Sequence, residues 1–91
     1  MRDGDFEWDD AKAAANLLRH GISFTLARDV FLDPHGITTP DDSMDYGEDR
    51  HLTIGEINSR LIAVVWTLRG DRTRIISARP AAPKERRAYH V

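Results

Sequence analysis

The sequence predicts one α+β domain over residues 1–91, with two helices ahead of a mostly antiparallel β-sheet and one helix after it. Three observations predict this. The first third carries three- and four-residue spacing framed by capping residues, whereas the stretch after residue 50 alternates at the two-residue period between turn signals. Ninety-one residues without a cysteine also suit one small core held by packing rather than by disulfides or thiolate-bound metal.

Phe6, Glu7 and Trp8 make a short edge strand with both aromatic rings on one face. Asp9 is placed to cap a first helix, DAKAAANLLR, whose apolar stripe is Ala11, Ala14, Ala15 and Leu18. Gly21 ends it in a left-handed conformation, with Ile22 as the apolar residue that follows. Ser23 caps a second short helix bearing Phe24, Ala27, Val30 and Phe31, and Asp33-Pro34-His35-Gly36 stops it. Ile37 to Thr39 is a brief strand ended by Pro40. The next run, DDSMDYGED, is an acidic loop; it fails as a calcium loop because its glycine is displaced to Gly47 and position twelve is Leu52.

Arg50 to Ile57 alternates as a strand, with Leu52, Ile54 and Glu56 opposite His51, Thr53, Gly55 and Ile57. Asn58-Ser59 then makes a two-residue turn. Arg60 to Leu68 is apolar on both faces, the mark of a central strand covered twice, and part of that cover is expected from another chain. Arg69-Gly70-Asp71 turns into Arg72 to Arg79, with Arg72, Arg74, Ile76 and Ala78 facing away from Thr73, Ile75, Ser77 and Arg79. Pro80 breaks the strand, and Pro83 opens a final helix, KERRAYH. Trp8 and Trp66, in apolar company, are read as core.

The charge is uneven. Between Arg60 and Tyr89 lie eight of the thirteen Lys and Arg residues and only two acids, so this part carries +6 and the remainder −8. Clustered guanidinium groups suit a polyanionic partner, because they displace condensed counterions from a phosphate backbone. The start of the chain is acidic, and the longest apolar run, Leu61 to Trp66, falls far short of the ~20 residues that span a bilayer. A cytoplasmic protein away from the membrane is expected.

FEWD with Lys12 and Asn16, then RHGISF, VFLDP, GDRTRIISAR and a terminal ERRAY, in that order from Phe6 to Tyr89, resemble the BrnT toxins of bacterial type II toxin–antitoxin modules. The resemblance implies a RelE-like fold and metal-independent ribonuclease action that halts translation, with no cofactor. It also implies a cognate BrnA-like ribbon-helix-helix antitoxin, an oligomeric complex with it, and operator DNA contacted only through that antitoxin. One departure stands out. Where the family usually has a basic residue and Ala-Thr after ISAR, this chain has Pro80-Ala81-Ala82-Pro83, without that positive charge and without a capping hydroxyl.

Cleaving RNA without a metal requires activating the 2′-hydroxyl, neutralising the phosphate in the transition state, and protonating the leaving 5′-oxygen. Arg79, at a strand end beside a helix, is the first candidate for the phosphate; a structural ion pair with a carboxylate of the acidic half of the chain competes for it. Arg72, Arg74, Lys84, Arg86 and Arg87 are candidate substrate contacts, against a solvated surface as the alternative. Histidine transfers protons near neutrality, and His20 in the RHG segment is the first of the four, against a simple capping role. Tyr89 completes the catalytic candidates, as a base-stacking or phosphate-orienting group, unless it merely packs the last helix. Glu85, among Lys84, Arg86 and Arg87, is read as a structural partner. A different function class stays open: a non-catalytic nucleic-acid or protein-binding module acting as a scaffold or co-repressor.

Overall fold

The computed structural model describes residues 2–41 and 48–90, excluding the side chains of Arg2 and Asp3. The central part of the acidic loop, and with it the rejected calcium-loop reading, lies outside the described residues. In chain order the elements are β1 (Arg2–Asp3), β2 (Phe6–Glu7), α1 (Asp10–His20), α2 (Phe24–Ala27), a 3-10 turn (Arg28–Leu32), β3 (Ile37–Pro40), β4 (Arg50–Ile57), β5 (Arg60–Arg69), β6 (Arg72–Pro80) and α3 (Pro83–Tyr89). The strands form one sheet in the order β1-β2-β6-β5-β4-β3. All pairings are antiparallel except β2 with β6. The expected N-terminal edge strand thus lies inside the edge, covered by the two-residue β1.

Local chemistry explains the helix ends. Asp9 accepts a hydrogen bond from the Lys12 N–H at 3.0 Å, and Ser23 Oγ one from the Leu26 N–H at 3.0 Å. Gly21, at φ 69°, closes α1 by donating to Leu17 O. The second helix is shorter than its spacing suggests. Four α-helical residues tighten into 3-10 geometry at Arg28, which still buries Phe24, Ala27 and Val30.

β5 is central, as its doubly apolar pattern requires. On one face Ile62 and Val64 pack with Trp8, Ile22, Phe24, Ala27, Val30, Ile57, Ile75 and Ala78. On the other, Leu61 and Ala63 pack with Ile54 and Ala81, with Leu52 and Tyr89 at the margin. Each fully buried Ile or Phe contributes roughly 1.5–3 kcal/mol by leaving water. Leu61 to Val64 are therefore buried within a single chain, and the cover expected from another chain is not needed there. Trp66 donates from Nε1 to Thr53 Oγ1 at 2.8 Å, and its ring packs at 5.6 Å from Phe31.

Two sequence expectations about faces are corrected. A bulge between Val65 and Trp66 pairs them with Ser77 and Ile75, leaving Ile76 as the extra residue. Beyond it the alternation of β6 inverts, so Ala78 shares the Ile75 face while Arg79 pairs with Ala63 on the Arg74 face. The stripe of α1 is also inverted: Ala11, Ala14 and Ala15 are exposed and Leu18 is 90% exposed. The helix instead buries Asn16, whose amide acts as a substitute strand. Nδ2 donates to Ala78 O at 2.8 Å and to Ile22 O at 3.0 Å, while Oδ1 accepts from Ala78 N at 3.1 Å. On β6, β2 reaches only Thr73 and Arg74, so the edge of β6 beyond them is open, and Asn16 satisfies the Ala78 backbone groups there.

Candidate functional site

α3 is tied down at both ends. Arg79 reaches forward to Glu85 in a bidentate pair, Nη1–Oε1 2.7 Å and Nη2–Oε2 2.8 Å. Glu85 Oε1 also accepts the Ala82 N–H at 2.7 Å, so the N3 carboxylate caps the helix although Ala82 has no hydroxyl to return. The Arg79 hydrogen bonds hold the Glu85 carboxyl below its ordinary range, and the Glu85 carboxylate raises the Arg79 guanidinium. Arg79 thus forms an ion pair, with Glu85 of its own basic stretch rather than with a carboxylate of the acidic part of the chain.

At the far end, the Tyr89 hydroxyl donates to Asp33 Oδ2 at 2.7 Å. Asp33 Oδ2 also accepts the Glu56 N–H at 2.8 Å, and Oδ1 accepts the His35 N–H at 2.9 Å. These bonds, led by that from Tyr89, lower the Asp33 carboxyl, and the same carboxylate pushes the Tyr89 phenol up to about 12. Asp33 was legible in the sequence only as part of a helix stop; its reach to Tyr89 across 56 positions has no local signature.

The remaining candidates divide cleanly. Arg74 pairs with Glu7 at 2.7 Å and Arg72 donates to Gly4 O at 2.8 Å, so both fasten the N-terminal hairpin to β6. Arg50 and Arg69 both approach Glu48. Lys84, Arg86 and Arg87 are exposed on α3, and among the described residues none forms an ion pair.

His20 lies elsewhere, in a cleft of about 220 Å³ between α1 and the outer edge of β6, lined by Lys12, Ala15, Asn16, Arg19, His20, Ile76 and Ser77. Neither Arg79 nor Tyr89 lines it. The five α1 residues recur at positions i, i+3, i+4, i+7 and i+8, so this helical face was present in the sequence. The alanine-and-leucine stripe of α1 obscured it. Among the described residues, no group of three or more His, Asp or Glu side chains is arranged to hold a metal ion, and no helix is long and apolar enough to cross a membrane.

Residues 8–85 match the family model described as the ribonuclease toxin BrnT of type II toxin–antitoxin systems. This chain belongs to the BrnT family. The matched span runs from buried Trp8 through α1, the whole β3–β6 sheet and into α3 as far as Glu85, so it includes the cleft around His20 and the Arg79–Glu85 pair. Membership in BrnT implies an antitoxin as partner. No curated protein sequence matches the chain.

Proposed function

We propose that this BrnT-family chain is a metal-independent endoribonuclease with a RelE-like fold that halts translation and is neutralised by a BrnA-like ribbon-helix-helix antitoxin. The family match over residues 8–85 carries this reading. The distribution of charge supports it: carboxylates pair with the sheet arginines Arg50, Arg69, Arg74 and Arg79, whereas Lys84, Arg86 and Arg87 stand exposed for a phosphate backbone. In this reading the antitoxin alone contacts operator DNA within an oligomeric complex, and the protein works in the cytoplasm.

Lys, Arg and His side chains can together perform what the reaction requires, charge neutralisation and proton transfer, without a bound ion. Arg79 and Tyr89 contribute by positioning α3, through Glu85 and Asp33 respectively. The test is induction of the wild-type chain and of the Arg79→Ala and His20→Ala variants in cells, followed by inspection of total RNA, with cleavage by purified protein repeated in chelator. Fragmented RNA and arrested growth with wild type, lost in His20→Ala and persisting in chelator, are expected. Intact RNA and normal growth with folded wild type would favour the non-catalytic binding module instead.

A further inference from the structure

We propose that the cleft between α1 and the outer edge of β6 holds and cuts an RNA phosphodiester, with Lys12 and Arg19 as the phosphate-neutralising cations and His20 as the proton-transfer group. This rests on the ribonuclease reading and gives it a site. Five features of the cleft converge. Its lining contains three basic side chains and no carboxylate. Among the described residues, Lys12, Arg19 and His20 form no ion pair, whereas Arg50, Arg69, Arg74 and Arg79 all have carboxylate partners. Asp9, at the start of α1, feels the Lys12 charge without forming an ion pair with it, so an anion in the cleft is attracted by both Lys12 and Arg19.

The site is also rigid. Asn16 sits in the middle of the basic face and clamps α1 to Ala78 through both atoms of its amide. Lys12 and His20 lie one turn to either side of it, so the same bonds that close the sheet edge hold the helix backbone that carries both residues against β6. The cleft, of about 220 Å³, is open to solvent and has room for a phosphate group. Ser77 adds a hydroxyl from the strand side, which can donate to a phosphate oxygen.

The chemistry follows from these groups. The 2′-hydroxyl passes its proton to the His20 imidazole as its oxygen bonds to phosphorus. Lys12 and Arg19 neutralise the crowded phosphate oxygens, and the P–O5′ bond breaks. The departing 5′-oxygen takes a proton from water, and the hydroxide left behind recovers the proton from His20. The products are a 2′,3′-cyclic phosphate and a 5′-hydroxyl, with the enzyme restored.

The experiment uses a fluorescent twelve-nucleotide single-stranded RNA in two forms, 2′-O-methylated for binding across a salt series and unmodified for cleavage. The proteins are wild type, the Lys12→Ala/Arg19→Ala double variant, His20→Asn, and Arg60→Ala as an exposed-cation control, each checked by thermal melting. Loss of two phosphate contacts should reduce the slope of log affinity against log salt by about 1.4, at about 0.7 per contact on single strands. His20→Asn should bind the methylated RNA as wild type does and cut the unmodified RNA ~10²- to 10⁴-fold more slowly, a loss in kcat rather than KM. Arg60→Ala should match wild type in both assays. If the double alanine variant melts early, Lys12→Gln/Arg19→Gln, which keeps most of each stem, takes its place with the same expected slope. A folded double variant with wild-type slope, or His20→Asn with wild-type cleavage, overturns the site while the ribonuclease reading stands. Folded wild type that neither binds nor cuts the RNA overturns both.

Discussion

Replacing Asn16 with alanine should destabilise the domain by about 3 kcal/mol, because one side chain makes three hydrogen bonds at a largely buried position. The residue is only 8% exposed, and its partners are the Ala78 N–H, the Ala78 carbonyl and the Ile22 carbonyl. Net bonds of ~0.5–1.5 kcal/mol each bracket the loss at about 1.5–4.5 kcal/mol, and backbone groups left dry push it toward the upper part of that range. For a domain of this size each kcal/mol lowers Tm by roughly 4–8 °C, so a drop of about 12–24 °C is expected. Urea unfolding with linear extrapolation, on wild type, Asn16→Ala and Asn16→Asp, measures it. The aspartate keeps the acceptor for Ala78 N but turns an oxygen toward two carbonyl oxygens, so it should be no more stable than the alanine variant. A loss below about 1 kcal/mol in Asn16→Ala, or an aspartate variant as stable as wild type, would show that α1 is held by something other than this amide.

Four further outcomes follow from other contacts. Arg79→Ala and Glu85→Ala should couple by about 1 kcal/mol in a double-mutant cycle, modest because the Arg79 side chain is 36% exposed and screened by solvent. Since Glu85 titrates below its unfolded value, its contribution is present above the unfolded pKa and lost as pH falls through the folded one; Glu85→Gln should flatten that part of the acid-unfolding curve. Tyr89, raised to about 12, contributes stability that is present below the ordinary phenol pKa and lost as pH rises through about 12. The difference in ultraviolet titration between wild type and Tyr89→Phe should therefore place its ionisation near 12, and a value near 10 would contradict the bond to Asp33. Gly55→Ala should cost about 2 kcal/mol in urea unfolding, because the new methyl would stand 2.8 Å from Val30 Cγ1 and 2.9 Å from the Val30 carbonyl oxygen. A neutral Gly55→Ala would show that the 3-10 turn can move off β4.

Features set by neighbours in the chain were legible from the residues alone. Asp9, Gly21 and Ser23 mark helix ends through bonds spanning three or four positions. Asn58 and Ser59 make the expected turn with φ of 50° and 67°, and the double-sided apolar pattern of Leu61 to Trp66 identifies the central strand. The candidate site was only half legible. His20 stands in a basic cleft with Lys12 and Arg19, which share its helical face in the sequence, whereas Ser77 joins them only through the fold. Alanines carry too little burial energy to orient a helix, so the Ala11–Leu18 stripe lost to one asparagine whose amide fits an open strand edge.

The sequence by itself determined the element order, the central strand, the helix caps and the family, because each is written in local spacing or in ordered motifs. Only the tertiary structure decided which cations are occupied. Arg74 meets Glu7 across 67 positions, and Tyr89 meets Asp33 across 56. The bulge at Ile76, opposite Val65 and Trp66, determines that Arg79 emerges on the face where Glu85 waits. An arginine reads the same in a sequence whether it fastens a hairpin or faces solvent; the difference lies in whether folding brings a carboxylate within hydrogen-bond reach.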